Sequence, residues 1–188
     1  PINLYGATKL CAEKLFIQGN VYSGRKKTVF GVVRYGNVLG SRGSVVPLFR
    51  EQKTNGVLTI THKDMTRFWI TLKQASELVN LAVALMKGGE IFIPKLPSVK
   101  VVNLAKAIAP KAKLKFTGIR PGEKLHEVLI TEEESVRVME KKNYFIEIEH
   151  KIEPPKEDGK LDDTPVIAEG EITDEEKEKE KKEEKGLE

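Results

Sequence analysis

The feature that most restricts the fold of this 188-residue chain is the segment 28–33, TVFGVV, a continuous apolar run rich in β-branched residues. A strand that is apolar on both sides needs cover on both faces, and a parallel sheet flanked by helices supplies it. The neighbouring segments agree. Residues 5–23 read as a helix, with Ala7, Cys11, Leu15 and Gln18 on one stripe beside Leu10, and Gly24 as the stop. On that reading Cys11 is a small apolar filler on the buried side. After the strand, residues 36–43 (GNVLGSRG) are too rich in glycine for a regular element and suit close backbone approach to a ligand.

Further along, four more helices are expected. One covers 46–54, with Pro47 in its first turn and Asn55-Gly56 ending it. A second runs from the Thr71–Gln74 capping box to about Lys87, stopped by Gly88-Gly89. A third covers 99–109 behind Ser98, and a fourth runs from the Thr131–Glu134 capping box to about Lys141. Strands are expected at 57–60, 90–94, 114–117 and, half-buried, at 144–148, with Arg120-Pro121-Gly122-Glu123 forming a turn or a helix entry. Alternating helices and strands define an α/β class.

Charge divides the chain. Residues 1–150 carry 24 basic and 13 acidic side chains, net +11, whereas residues 151–188 carry 8 and 15, net −7. The second part has no aromatic residue, three prolines and the run DEEKEKEKKEEK at 174–185. Such a composition cannot bury enough apolar surface to offset its ordering entropy, so 151–188 is expected to be a disordered charged tail, with a solvated helix in the charge run. One cysteine excludes a disulfide scaffold and a thiolate zinc site, and it fits a reducing, cytoplasmic setting. His62, His126 and His150 are scattered without metal-ligand spacing, so no metal is expected. No uncharged apolar run approaches the roughly 20 residues of a membrane span. The basic residues of 1–150 are spread rather than clustered and accompany no nucleic-acid motif, so no nucleic-acid partner is expected. Phe68 and Trp69 read as core rather than as a stacking platform.

Tyr5 and Lys9 lie four apart on a predicted helix and so share a face. A lysine ammonium one turn away favours the phenolate, and such a pair can take a proton from a hydroxyl while hydride leaves the same carbon. The spacing alone is a weak signal. Its context, opening a helix ahead of a buried strand and a glycine-rich loop, strengthens it.

Four blocks, PINLYGATK (1–9), VVRYGNVLGSRGSVVPLF (32–49), MTRFWITL (65–72) and GIRPGEKLHEVLI (118–130), together resemble the extended short-chain dehydrogenase/reductase superfamily. Within it they are most similar to nucleotide-sugar 4,6-dehydratases of the configuration-inverting, UDP-N-acetylglucosamine branch, used in polysaccharide and flagellin glycosylation. The resemblance covers about residues 1–148. It implies a Rossmann-like remainder at 1–45 and a mainly nucleotide-sugar-binding part at 46–150. It also implies NADP as cofactor, a UDP-sugar as substrate and a homo-oligomeric intact enzyme. Tyr5 and Lys9 match the catalytic pair, the lysine also holding the nicotinamide ribose. Asn37 and the loop Val38, Leu39, Gly40, Ser41 and Arg42 match the segment near sugar and cofactor. Val45, Arg67, Arg120 and Glu123 match positions that grip UDP, with Thr61 a further candidate. Arginine forks suit diphosphate oxygens, and a carboxylate can accept both ribose hydroxyls.

Two departures accompany the match. The family's Gly-x-x-Gly-x-x-Gly phosphate loop does not occur, and Gly36, Gly40 and Gly43 follow the Tyr/Lys helix, out of place for that role. The Asp-Lys pair that eliminates water in the family belongs ahead of the position of Pro1. The chain is therefore expected to be the rear part of such a lyase, inactive by itself. Two other functions fit the same residues: a nucleotide-sugar epimerase sharing Tyr5 and Lys9, and a non-catalytic UDP-binding or assembly module.

Overall fold

The computed structural model describes residues 1–23 and 28–148. In chain order its elements are α1 (Leu4–Tyr22), β1 (Val32–Val33), β2 (Asn37–Val38), α2 (Val45–Gln52), β3 (Val57–Ile60), β4 (Thr66–Ile70), α3 (Leu72–Leu85), β5 (Glu90–Pro94), β6 (Ser98–Lys100), α4 (Val101–Ile108), β7 (Lys113–Phe116), α5 (Glu132–Ser135), β8 (Val138–Glu140) and β9 (Tyr144–Ile148). A 3-10 turn, Lys53–Asn55, extends α2. The α/β class expected from the alternation is the one observed.

The main sheet has the order β1-β5-β9-β8, with β1 parallel to β5 and the other pairs antiparallel. Successive strand residues face opposite sides, and both sides are covered. Ile91 and Ile93 pack with Ile17 of α1 and with Val32, whereas Phe92 packs with Leu78 and Ala82 of α3 and with Val33. The double cover that TVFGVV demands is thus present, although the strand itself is confined to Val32–Val33. A second core lies elsewhere. Phe49 of α2, Leu58 and Ile60 of β3, Met65, and Val101, Ala105 and Ala109 of the α4 segment bury one another over the parallel β3–β7 pair. A third sheet, β2-β4-β6, runs parallel at β2–β4 and antiparallel at β4–β6.

Several expectations are corrected. On α1 the residues at low exposure are Glu13, Ile17 and Asn20, while Cys11, Leu10 and Leu15 are exposed, so Cys11 is not a core filler. The reason is that the two polar side chains are fully partnered. Asn20 accepts from the Phe30 amide and donates to the Phe30 and Ile17 carbonyls at 2.8–2.9 Å, and Glu13 is held by Arg34. Satisfied polar groups can occupy a buried face that a hydropathy stripe does not mark. Gly24, the expected stop, lies outside the described residues.

The stretch 36–43 does contain a regular element, β2. Gly36 is there for close approach to a strand rather than to a ligand, since a Cβ on it would stand 2.3 Å from the Phe68 carbonyl oxygen. Ser98 does not cap a helix. It pairs in β6 with Phe68, and α4 starts only at Val101, whose amide donates to the Met65 carbonyl. Both capping boxes form as expected. However, α3 ends at Leu85, and α5 lasts a single turn because Val138–Glu140 pairs with β9 instead of continuing the helix. Among the described residues no helix is long and apolar enough to cross a membrane.

Candidate functional site

The first turn of α1 carries the expected pair. Asn3 is the N-cap, its side-chain oxygen accepting from the Gly6 amide at 2.7 Å. Tyr5 follows, 74% exposed, with the Lys9 ammonium 5.6 Å from its ring centre. This is cation–π range, and no carboxylate among the described residues claims either group. Against this turn sits the Arg120–Glu123 segment. The Glu123 amide donates to the Arg120 carbonyl at 3.0 Å across Pro121 and Gly122, and Gly122 has φ +76°. Proline then glycine with positive φ is the signature of a type II turn. Glu123 closes it further, accepting from the Arg120 amide at 3.2 Å. The structure therefore seats the N-cap of the helix that carries Tyr5 and Lys9 against the Arg120–Glu123 turn, through a 2.7 Å hydrogen bond from Asn3 Nδ2 to the Gly122 carbonyl.

The other expected residues are arranged around β4, a strand not foreseen from sequence. Asn37 and Val38 pair with Trp69 and Ile70. The exposed Leu39, Gly40, Ser41 and Arg42 lead from there into α2, with the Ser41 amide donating to the Val38 carbonyl and the Ser44 amide to that of Ser41. Val45 opens α2, and the Ser44 hydroxyl, which caps no amide, is buried without a partner. A helix start with free amides beside an arginine suits anionic oxygens. Arg67, two residues before Trp69 on β4, is largely buried and already engaged. It donates to the carbonyls of Thr66, Leu125 and Lys124 at 2.7–3.2 Å and lies 3.8 Å from Glu123 and 3.9 Å from Glu127. Its visible task is to fix the segment that bears Glu123. Thr61 is spoken for locally, its hydroxyl donating to Met65 Sδ at 3.1 Å.

One feature was not foreseen. Arg34, directly after β1, uses all five guanidinium hydrogens: two toward Glu13, two toward Glu134 and one toward the Leu129 carbonyl, at 2.6–3.0 Å. Glu147, fully buried, lies 3.4 Å from Arg34 and 3.2 Å from Arg137. Burial opposes the charge on Glu134, but hydrogen bonds from Arg34 and the Thr131 amide outweigh it and bring the carboxyl down to about 2. For Glu147 burial dominates and pushes the carboxyl up, with Arg34 opposing it only in part. The network ties α1 to the 129–134 segment that follows the Arg120–Glu123 turn. Its one sequence signal is a charge placed immediately after a continuous apolar strand.

Comparison with known proteins finds relatives of the chain. A family described as polysaccharide biosynthesis protein matches residues 1–149. The chain is 52% identical over 147 residues to the UDP-N-acetylglucosamine 4,6-dehydratase (inverting) of Campylobacter jejuni, covering 77% of this chain and 44% of that one. It is 44% identical over 150 residues to a UDP-glucose 4-epimerase of Rickettsia bellii, with the same shares. Among solved structures, Pen from Bacillus thuringiensis superposes with a TM-score of 0.75 at 42% identity, covering 79% of this chain and 49% of that one. The chain thus spans less than half the length of the curated relatives it matches.

Proposed function

This chain belongs to the polysaccharide biosynthesis protein family, with the extended short-chain dehydrogenase/reductase fold, and we propose that it carries the oxidation base and UDP-binding groups of a UDP-N-acetylglucosamine 4,6-dehydratase. The observation that supports this most is the hydrogen bond from Asn3, the N-cap of the helix bearing Tyr5 and Lys9, to Gly122 in the Arg120–Glu123 turn. Tyr5 takes the proton of the sugar 4-hydroxyl, and Lys9, one turn away, stabilises the phenolate and steers it electrostatically. Arg120, exposed and without a carboxylate partner among the described residues, meets the diphosphate. Glu123 accepts the ribose hydroxyls, and Arg67 acts chiefly by holding Glu123 in place. The start of α2 at Val45, behind the exposed Leu39–Arg42 stretch of the Asn37–Arg42 loop, offers backbone amides to sugar and phosphate oxygens, and Thr61, after β3, is the remaining candidate.

The adjacent, exposed phenol and ammonium fit a nicotinamide ribose, so Tyr5 and Lys9 are the described residues that would hold it. NADP, when bound, supplies the hydride acceptor at C4 and the donor at C6. The water-loss step is assigned to none of the described residues.

Titration calorimetry tests the binding half of the proposal. UDP is expected to bind the chain, and Arg120→Ala to weaken it by about tenfold, the order of a charge-assisted hydrogen bond. No heat with UDP, or an unchanged affinity in Arg120→Ala and Glu123→Ala, sinks it. The likeness to the Rickettsia bellii epimerase supports a second reading with the same base and no elimination. Mass spectrometry of the sugar product made by a full-length enzyme containing this chain separates them, since a dehydratase product lacks one water and an epimer keeps its mass.

A further inference from the structure

Asn3 uses both ends of one side-chain amide. Its Oδ1 accepts from the Gly6 amide at 2.7 Å, capping α1 two residues before Tyr5. Its Nδ2 donates to the Gly122 carbonyl at 2.7 Å, across 119 residues of sequence. The assignment of oxygen and nitrogen follows from the partners, because a flipped amide would set donor against donor at Gly6 and acceptor against acceptor at Gly122. The contact is close enough that a Cβ on Gly122 would stand 3.1 Å from Asn3 Cβ, on a residue whose φ of +76° already disfavours a side chain. Gly122 lies between Arg120 and Glu123 and its carbonyl belongs to the turn that orients both. The first turn of the helix bearing Tyr5 and Lys9 and the turn bearing the proposed UDP contacts are therefore joined through a single side chain.

We propose that Asn3 is a positioning residue that transmits occupancy of the Arg120–Glu123 turn to the first turn of α1, setting Tyr5 in place when a nucleoside diphosphate is bound. The ligand in this inference rests on the UDP-binding reading above, while the mechanical link does not. A ligand held by Arg120 and Glu123 narrows the motion of the turn, keeps the Gly122 carbonyl in reach of Nδ2, and so keeps Asn3 in its capping rotamer. An aspartate or serine at position 3 preserves the cap, since both are good N-cap residues. Neither can donate as Asn3 does, and aspartate would repel the Gly122 carbonyl.

Amide hydrogen exchange of Gly6 and Ala7, whose protons go to Asn3 Oδ1 and to the Asn3 carbonyl, reads the link directly. In the unaltered chain saturating UDP is expected to slow their exchange roughly fivefold, the factor a single neutral hydrogen bond is worth. In Asn3→Asp and Asn3→Ser the exchange without ligand stays near that of the unaltered chain, UDP still binds, and the UDP-dependent slowing disappears. A role confined to capping would leave that slowing intact in both variants, and this result overturns the proposal. A second variant needs no ligand: Gly122→Ala is expected to speed exchange at Gly6 and Ala7 several-fold, and unchanged exchange there also overturns the link. If UDP gives no heat with the unaltered chain, the nucleotide reading fails, and Gly122→Ala still decides whether turn and helix are coupled.

Discussion

Arg34 shows how much a single side chain can organise. Burial alone would weaken its charge, but hydrogen bonds to Glu13 and Glu134 outweigh this and hold the guanidinium proton more firmly than water does. The three carboxylates around it are not equivalent. Glu13 is held bidentately by Nε and Nη2, so removing it leaves a buried cation short of a partner; Glu13→Ala is expected to cost about 3 kcal/mol. Glu147, whose charge is opposed by burial, is expected to tolerate Glu147→Gln at pH 7 with an equal or higher melting temperature. The pH dependence separates them too. Glu134 sits below its ordinary value of 4.5, so its stabilisation is present above that pH and fades as pH falls toward about 2. Glu147 sits above its ordinary value, so it favours the fold most when protonated, and that contribution is lost as pH rises through its raised value. Melting temperatures of the unaltered chain and Glu147→Gln between about pH 2 and pH 7 check both signs: the variant should lose only the Glu147 part.

At the scale of elements, β4 is the piece on which the site depends. It pairs on one side with β2, aligning Asn37 with Trp69, and on the other with β6, while its Arg67 holds the backbone of 124–125. The β2–β4 contact exists only because residue 36 has no side chain. Gly36→Ala is therefore expected to cost 1–3 kcal/mol or more, in the range of an overpacked core, as about 2.3 Å leaves no room for relaxation of a side chain alone. The comparison is Thr71→Ala, which removes a helix cap and should cost about 1 kcal/mol. Urea unfolding of both variants orders them, and a Gly36→Ala chain no less stable than Thr71→Ala would contradict the assigned β2–β4 packing.

For the molecule as a whole, the described residues bury two separate kinds of core. One gathers Phe49, Leu58, Ile60, Met65, Val101, Ala105 and Ala109, and the other lines both faces of β5 with α1 on one side and α3 on the other. No buried residue belongs to both. Phe49, with no exposed surface, anchors the first, and Phe49→Ala is expected to destabilise it by about 3–5 kcal/mol. Hydrogen exchange should then rise in α2, β3, α4 and β7 while β5 and β9 keep their protection, because independent packing units open independently. Uniform loss of protection across all strands would show a single cooperative unit instead.

Local rules made several parts of this protein readable from sequence. The two capping boxes, the proline-glycine turn at 120–123 and the Tyr5–Lys9 pairing rest on interactions within a few residues, the strands at 57–60, 90–94 and 144–148 are marked by their local apolar pattern although distant strands pair with them, and each appears in the structure. What the tertiary structure alone decided depends on partners far away in the chain. The buried face of α1 follows Glu13 and Asn20 rather than the apolar stripe, because Arg34 and the Phe30 backbone satisfy them. The helix expected after Thr131 stops after one turn because β9 offers Val138–Glu140 a ladder. Gly36 serves a neighbouring strand, Arg67 serves the loop that carries Glu123, and Asn3 reaches Gly122. Polar groups are driven into such places by the cost of leaving a buried donor or acceptor unpaired, and that cost is settled only when the distant partner arrives.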